Sequence, residues 1–266
     1  MPDFVYDLPA QALMLRFVLV ALGAMLFGLL VCKPVLRLTL GTGEDFNNSL
    51  NQTTSSFTLF YGLVLGLLTV SAYQNHEKVQ HSVFYEVSRL SSLYGAMDTY
   101  PEPLRSDVRT ALLDYTRFTI DRDWPAHARA DFLPGGAAAM QGVRQLLAGF
   151  EPRTGGESIQ HAQTFQLFQQ LIEARLDRIS GILLGIPDLL WTAVLLGAGI
   201  NILLIALLRM RPLQQFVLGS ISAVFLGIIL SVIVTLDAPL RGTTAVKPAA
   251  FEIFLERTLA LNAAGS

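Results

Sequence analysis

Apolar residues run almost unbroken through four stretches of this chain: Leu13–Cys32, Phe57–Tyr73, Leu189–Leu208 and Phe216–Leu236. A bilayer core is crossed by about 20 apolar residues rising about 1.5 Å each. Each stretch therefore predicts a membrane-spanning helix, the second being short. Beyond Tyr73 the pattern changes without stopping. Val79, Val83, Val87, Leu90, Tyr94 and Met97 recur at helical steps, and no glycine or proline interrupts Gly66 to Gly95. One apolar stripe at this period predicts a helix that continues out of the membrane with one face buried.

Pro101 and Pro103 break that helix, and Pro103 suits the first turn of another. Leu104, Val108, Ala111, Leu112, Tyr115 and Phe118 form its stripe, and Trp124-Pro125 is expected to end it. Gly135-Gly136 opens a shorter helix with Met140, Val143, Leu147 and Phe150 inward; Pro152, Gly155 and Gly156 make the next loop. A last helix carries Ile159, Phe165, Phe168, Ile172 and Ile179, and reaches the third span at Pro187, where a kink is expected. Leu38–Ser56, with Gly41, Gly43, Asn47, Asn48 and Asn51, predicts a polar connector, and Thr53 to Ser56 offer N-cap residues for the second span.

The fold class expected is all-α: four transmembrane helices with a soluble helical domain inserted between the second and third. The divisions are 1–56 (first span and connector), 57–73 (second span), 74–186 (insert continuous with its flanking spans), 187–236 (third and fourth spans) and 237–266 (a tail with a short amphipathic run at Phe251, Phe254 and Leu255). Asp3 and Asp7 precede the first apolar run where a signal peptide would be basic, so that run is expected to be retained.

Composition supports the membrane assignment. Of 266 residues, 52% are hydrophobic and only 15% charged, against about 25% in soluble domains; the mean hydropathy is +0.47. A net charge of −2 gives no reason to expect nucleic acid as a partner. The single cysteine, Cys32, excludes an internal disulfide. His76, His81, His127 and His161 make no metal-ligand spacing, and no nucleophile–base motif or phosphate loop is present. No metal, cofactor or enzymatic activity is therefore expected.

The candidate functional residues lie elsewhere. Small residues recur every fourth position at Gly219, Ala223, Gly227 and Ser231, at Thr58, Gly62 and Gly66, and at Ala24, Gly28 and Cys32. Such ridges let helices approach closely in lipid, within one subunit or between subunits. Phe57, Tyr61, Val64 and Leu68 form an apolar face on the second span that could line a pore and gate it by dewetting. Asn201, deep in the third span, is expected to hydrogen-bond across helices. No ionisable residue sits mid-span, which argues against charge-coupled transport.

Glu86 lies 13 residues beyond Tyr73 and Arg175 lies 14 before Leu189, about 20 Å from the membrane in both cases at about 1.5 Å per residue. Matched height and opposite charge predict that Glu86 faces Arg175 or Arg178, with Arg89 also counted among the inter-helix charge pairs; the alternative is separate solvated charges. An even number of spans puts the insert and both termini on one side. The distribution of Lys and Arg is too even to say which.

Several pieces recur in a known order: Glu86-x-x-Arg89-Leu90-x-x-Leu93-Tyr94, then Tyr115, then Trp124-Pro125, then Arg175-x-x-Arg178. Pro187-x-x-x-Trp191 and Asp237-x-Pro239-x-x-Gly242 complete the series. Together they resemble the bestrophin-like family of bacterial and plant membrane proteins, from about Phe57 to Leu259. Leu240 stands where the family often has Phe. The resemblance implies a distant likeness to bestrophins, pentameric anion channels with four spans and a helical cytoplasmic segment between the second and third. It implies that Phe57, Tyr61 and Val64 lie near a pore, although Val64 is not aromatic, and that the insert and both termini are cytoplasmic. It implies a homo-oligomer in the lipid bilayer of a bacterial inner membrane, passing inorganic anions. No acidic calcium clasp is present, so calcium gating is not implied. The expected function is a passive channel, or alternatively a non-conducting scaffold or sensor whose insert binds a protein partner.

Overall fold

A computed structural model describes residues 9–40, 44–129, 131–242 and 244–264. Asp3, Asp7, Gly41 and Gly43 lie outside the described residues. The described elements are all helical: α1 (Ala10–Phe27), a π turn (Gly28–Cys32), α2 (Lys33–Leu40), α3 (Glu44–Ala96), α4 (Leu104–Phe118), a second π turn (Thr119–Asp123), α5 (Trp124–His127), α6 (Gly135–Ala148), α7 (Gly155–Leu183), α8 (Asp188–Leu207), α9 (Pro212–Asp237) and α10 (Ala249–Ala264). Four helices are long and apolar enough to cross a membrane. The chain divides into two compact units, one of Met1–Asn75, Gly185–Ala238 and Gly242–Thr244, the other of His76–Leu184, Pro239–Arg241 and Ala245–Ser266.

The first unit is the membrane bundle. Its core holds Leu13, Ala21 and Met25 of α1, Tyr61 and Leu65 of α3, Trp191, Val194 and Ala198 of α8, and Ala223, Leu226 and Leu230 of α9. The most closely packed pair is α1 with α9, and small residues make it so. A Cβ at Gly227 would lie 2.7 Å from Val18 Cα, against backbone that has nowhere to go, and Gly219 is covered by Met25. This ridge therefore works inside one subunit. Gly28 likewise receives Ala206 and Ile202, whereas Gly62 and Gly66 meet nothing within 4 Å. Gly227→Val is expected to destabilise the purified protein by about 1–3 kcal/mol, seen as a lower melting temperature. Gly23→Ala, at a glycine with open space around it, is expected to leave melting unchanged.

Polar groups in this unit are paired. Asn201 donates to the Thr58 hydroxyl at 2.9 Å. Gln215 is buried at 1% exposure, and its amide donates to the carbonyls of Ile205, Ala206 and Leu208 at 3.1, 2.6 and 3.0 Å. It thus satisfies the otherwise orphaned end of α8, while its oxygen accepts from Lys33.

The predicted polar connector is a correction. Residues 44–56 are the first turns of α3, not a loop. The hydroxyls of Thr54 and Ser55 do not cap a helix start; they bond back to the carbonyls of Leu50 and Asn51 at 2.7 and 2.9 Å, as mid-helix Thr and Ser do. At 53 residues, α3 is about 80 Å long at about 1.5 Å per residue, far beyond a bilayer core of about 30 Å. On the other flank the chain does not kink but breaks, between Leu183 and Asp188. Asp237 holds the break: its carboxylate accepts from the Ile186 amide at 2.6 Å and the Trp191 indole at 3.1 Å.

The second unit buries Val79, Val83, Leu90 and Leu93 of α3 against Leu112 and Tyr115 of α4, Val143 and Leu147 of α6, and Phe168 and Leu171 of α7. Trp124-Pro125 does not end α4 as expected. The backbone widens into the π turn just before Pro125, which has no N–H to donate, and helix resumes through His127. The tail is also more than a short run. Its helix α10 covers 16 residues and sets Phe251 and Phe254 into this unit's core.

Candidate functional site

The second unit is organised around a buried node of charge. Glu86 of α3 and Arg178 of α7 are both 0% exposed. Arg178 forks onto the carboxylate, Nε to Oε2 at 2.6 Å and Nη2 to Oε1 at 3.3 Å. Tyr115 of α4 donates its hydroxyl to the same Oε1. On its other side Arg178 Nη1 donates to His127 Nδ1 at 3.1 Å, which leaves that nitrogen unprotonated and the ring neutral. The guanidinium also lies over Trp124 at 5.4 Å and Phe251 at 5.9 Å from the ring centroids, and Trp124 donates its indole N–H to the Val246 carbonyl at 3.1 Å. One arginine thus ties α3, α4, α5, α7 and α10 together.

A second pair lies beside it. Asp123, 0% exposed, faces Arg175 Nη2 at 3.8 Å, beyond hydrogen-bond range, and neither carboxylate oxygen has a hydrogen-bond partner. Gly136, in the first turn of α6, makes room for this pair: a Cβ there would come within 2.7 Å of both Asp123 Oδ2 and Arg175 Nη2.

The electrostatics follow from burial and neighbours. Burial pushes the Asp123 carboxyl above its usual range, against the pull of Arg178 and Arg175. Burial and the two arginines lower His127 from 6.5 to about 4. Burial and the Glu86 charge raise the Tyr115 phenol. Burial alone would weaken the charge on Arg178, but Glu86 and Tyr115 more than offset this and its pKa is raised. The node is a set of fixed charges and neutral acceptors. Its geometry clamps helices, and it offers no activated nucleophile.

In the membrane unit the relevant feature is a face of α3. Phe60, Val64 and Leu67 are 67%, 45% and 63% exposed, and none of the described residues buries this apolar row. Polar Thr53, Ser56, Ser71 and Gln74 extend the same row at helical steps in both directions, all exposed.

A family model for the bestrophin-like domain matches residues 14–251. The chain belongs to the bestrophin-like family. Solved structures share the fold at low identity. A point variant of a bacterial bestrophin homologue from Klebsiella pneumoniae superimposes with a TM-score of 0.63 at 11% identity, covering 94% of this chain and 98% of that one. A membrane protein with a glycine-to-alanine substitution gives 0.66 at 11%, covering 93% and 97%. A further Klebsiella pneumoniae variant gives 0.52 at 13%, covering 97% and 98%. No curated protein matches the sequence.

In this bestrophin-like chain the four residues expected to line a pore do not all face outward. Tyr61 is turned into the subunit, 8% exposed, with its hydroxyl donating to the Val194 carbonyl at 2.9 Å and its ring covering Gly197. Phe57 stacks on Tyr61 at 5.9 Å, and both Phe57 and Leu68 pack against the core. Only Val64 lies on the uncovered face. The physical reason is that the buried direction of α3 is set by Tyr61, Leu65 and Ala72, which rotates the expected stripe toward α8.

Among the four charged residues, Glu86 and Arg178 meet, Arg175 turns to Asp123, and Arg89 stacks over Tyr85 at 4.5 Å. Pro187 starts α8, its carbonyl accepting from Leu190 and Trp191. Pro239 accepts from Val246 N–H at 2.8 Å, and Gly242 adopts a φ of 76°. Asp123 was not singled out in the sequence, and His127 entered only among the histidines without metal-ligand spacing. The signal was available: from Leu112, steps of four, three, four and four reach Thr116, Thr119, Asp123 and His127, all buried. A search for apolar periodicity passes over a stripe made of polar residues.

Proposed function

We propose that this protein is a passive channel formed by several copies of the chain, with the uncovered face of α3 turned toward a shared axis. The observation that carries this is the row Phe60, Val64 and Leu67, exposed in the single chain and flanked by polar residues. Apolar side chains converging on an axis form a constriction that opens and closes by wetting. Family membership supports small inorganic anions as the permeating species. It also supports the second unit and both termini facing the cytoplasm of a bacterial inner membrane.

Purified protein fused into planar bilayers is expected to carry a chloride current. The double substitution Phe60→Ala and Val64→Ala is expected to raise it at least several-fold by widening the constriction. Tyr61→Phe, on the inward face, is expected to leave conductance unchanged. A silent bilayer with both the wild type and the Phe60/Val64 variant would overturn the channel reading in favour of a non-conducting scaffold whose second unit binds a protein partner.

A further inference from the structure

A groove of about 490 Å³ runs between α6 and α7 in the second unit. Its floor is apolar, with Met140 of α6 and Phe165, Phe168 and Ile172 of α7. Arg175, which is 8% exposed, also lines it. The guanidinium there is under-used. Its Nε is buried without a hydrogen-bond partner, and its Nη2 lies 3.8 Å from Asp123, too far for a hydrogen bond. A buried guanidinium normally satisfies its fork of donors, because an unpaired buried donor is costly. The other charges of the groove are Arg144 and Glu173, both exposed.

We propose that this groove is a binding site for a small organic monocarboxylate with an apolar body. The carboxylate docks against the Arg175 guanidinium, whose donors are not spent on a hydrogen bond within the chain, and the body lies on Met140, Phe165 and Phe168. The pairing matches chemistry to position. A planar carboxylate complements a guanidinium edge, and ligand sites are mostly apolar with few convergent polar groups. Arg144 and Glu173 carry opposite charges that offset each other, which leaves the Arg175 charge to match a single negative charge. The Asp123 partner does not close the site, because at its distance it leaves the donors of Arg175 unspent. The proposal stands independently of whether the membrane unit conducts.

The test is titration calorimetry on the full-length protein in detergent, with 4-phenylbutyrate as probe and 4-phenylbutanol as its uncharged counterpart. The acid is expected to bind at least ten-fold more tightly than the alcohol. Arg175→Gln is expected to weaken the acid at least ten-fold. Ala137→Phe fills the groove from its exposed wall and leaves the Asp123 and Arg175 side chains themselves unsubstituted. It is expected to abolish binding while melting stays near wild type, so a fold defect in the arginine variant does not decide the matter. No binding of the acid, equal binding of acid and alcohol, or undiminished binding by the Ala137→Phe variant would each overturn the proposal.

Discussion

Arg178→Met is expected to destabilise the second unit by about 3–5 kcal/mol, the range for removing one partner of a buried ion pair. The large effect comes from what is left behind. Glu86 would remain at 0% exposure without its cationic partner and with only Tyr115 to donate to it, while His127 would lose its donor. Melting of the detergent-purified protein, followed by tryptophan fluorescence, reads the change, since Trp124 lies over the guanidinium. Adding Glu86→Leu to Arg178→Met is expected to recover much of the loss, because two apolar residues of similar volume replace a pair whose attraction is set against its desolvation. Equal melting temperatures for wild type and Arg178→Met would show that the node does not hold the unit together.

Acidification is expected to weaken the second unit through His127. Its pKa falls from 6.5 to about 4 on folding, so between those values the unfolded chain binds a proton that the folded chain refuses. Stability from this residue is therefore complete above pH 6.5 and is lost as pH falls toward 4, by up to about 3 kcal/mol at about 1.4 kcal/mol per unit. Asp123 acts in the opposite sense: its raised pKa makes the folded state take up a proton first, which favours folding as pH falls through that range. The two are separated by His127→Gln, whose side-chain oxygen accepts from Arg178 and does not titrate. The fall in melting temperature from pH 7 to 4.5 is expected to be clearly smaller in this variant. Parallel falls in the two proteins would exclude His127 as the cause.

The two effects share a mechanism. Five helices meet at one guanidinium, whose contacts are a carboxylate, an acceptor nitrogen and two aromatic rings in a dry interior. Low local dielectric strengthens a satisfied network and penalises each vacancy in it. The same feature makes the unit cooperative, so loss of a single contact is felt by helices distant from it in sequence.

The spans and most of the helical stripes were legible in the chain because both rest on periodicity: runs of apolar residues long enough for a bilayer, and apolar positions at steps of three and four. The matched heights of Glu86 and the arginine pair were legible because helix rise is constant. Even the buried polar stripe through Thr116, Thr119 and Asp123 was written at helical spacing, although its side chains read as surface. What periodicity could not supply was direction and partner. Tyr61 faces Val194 rather than an axis because the rotation of α3 is set by packing across helices distant in sequence. Gly227 serves α1 rather than a neighbouring subunit because Val18 lies against it. Arg178 takes Glu86 and Arg175 takes Asp123, a choice of partners that sequence spacing leaves open. The sequence by itself determined that four helices can cross a membrane and that a helical unit lies between the second and third. Only the tertiary structure decided which face of each helix is spent on its own fold and which is left for lipid, ligand or another copy, because burial depends on contacts between residues that the chain order keeps apart.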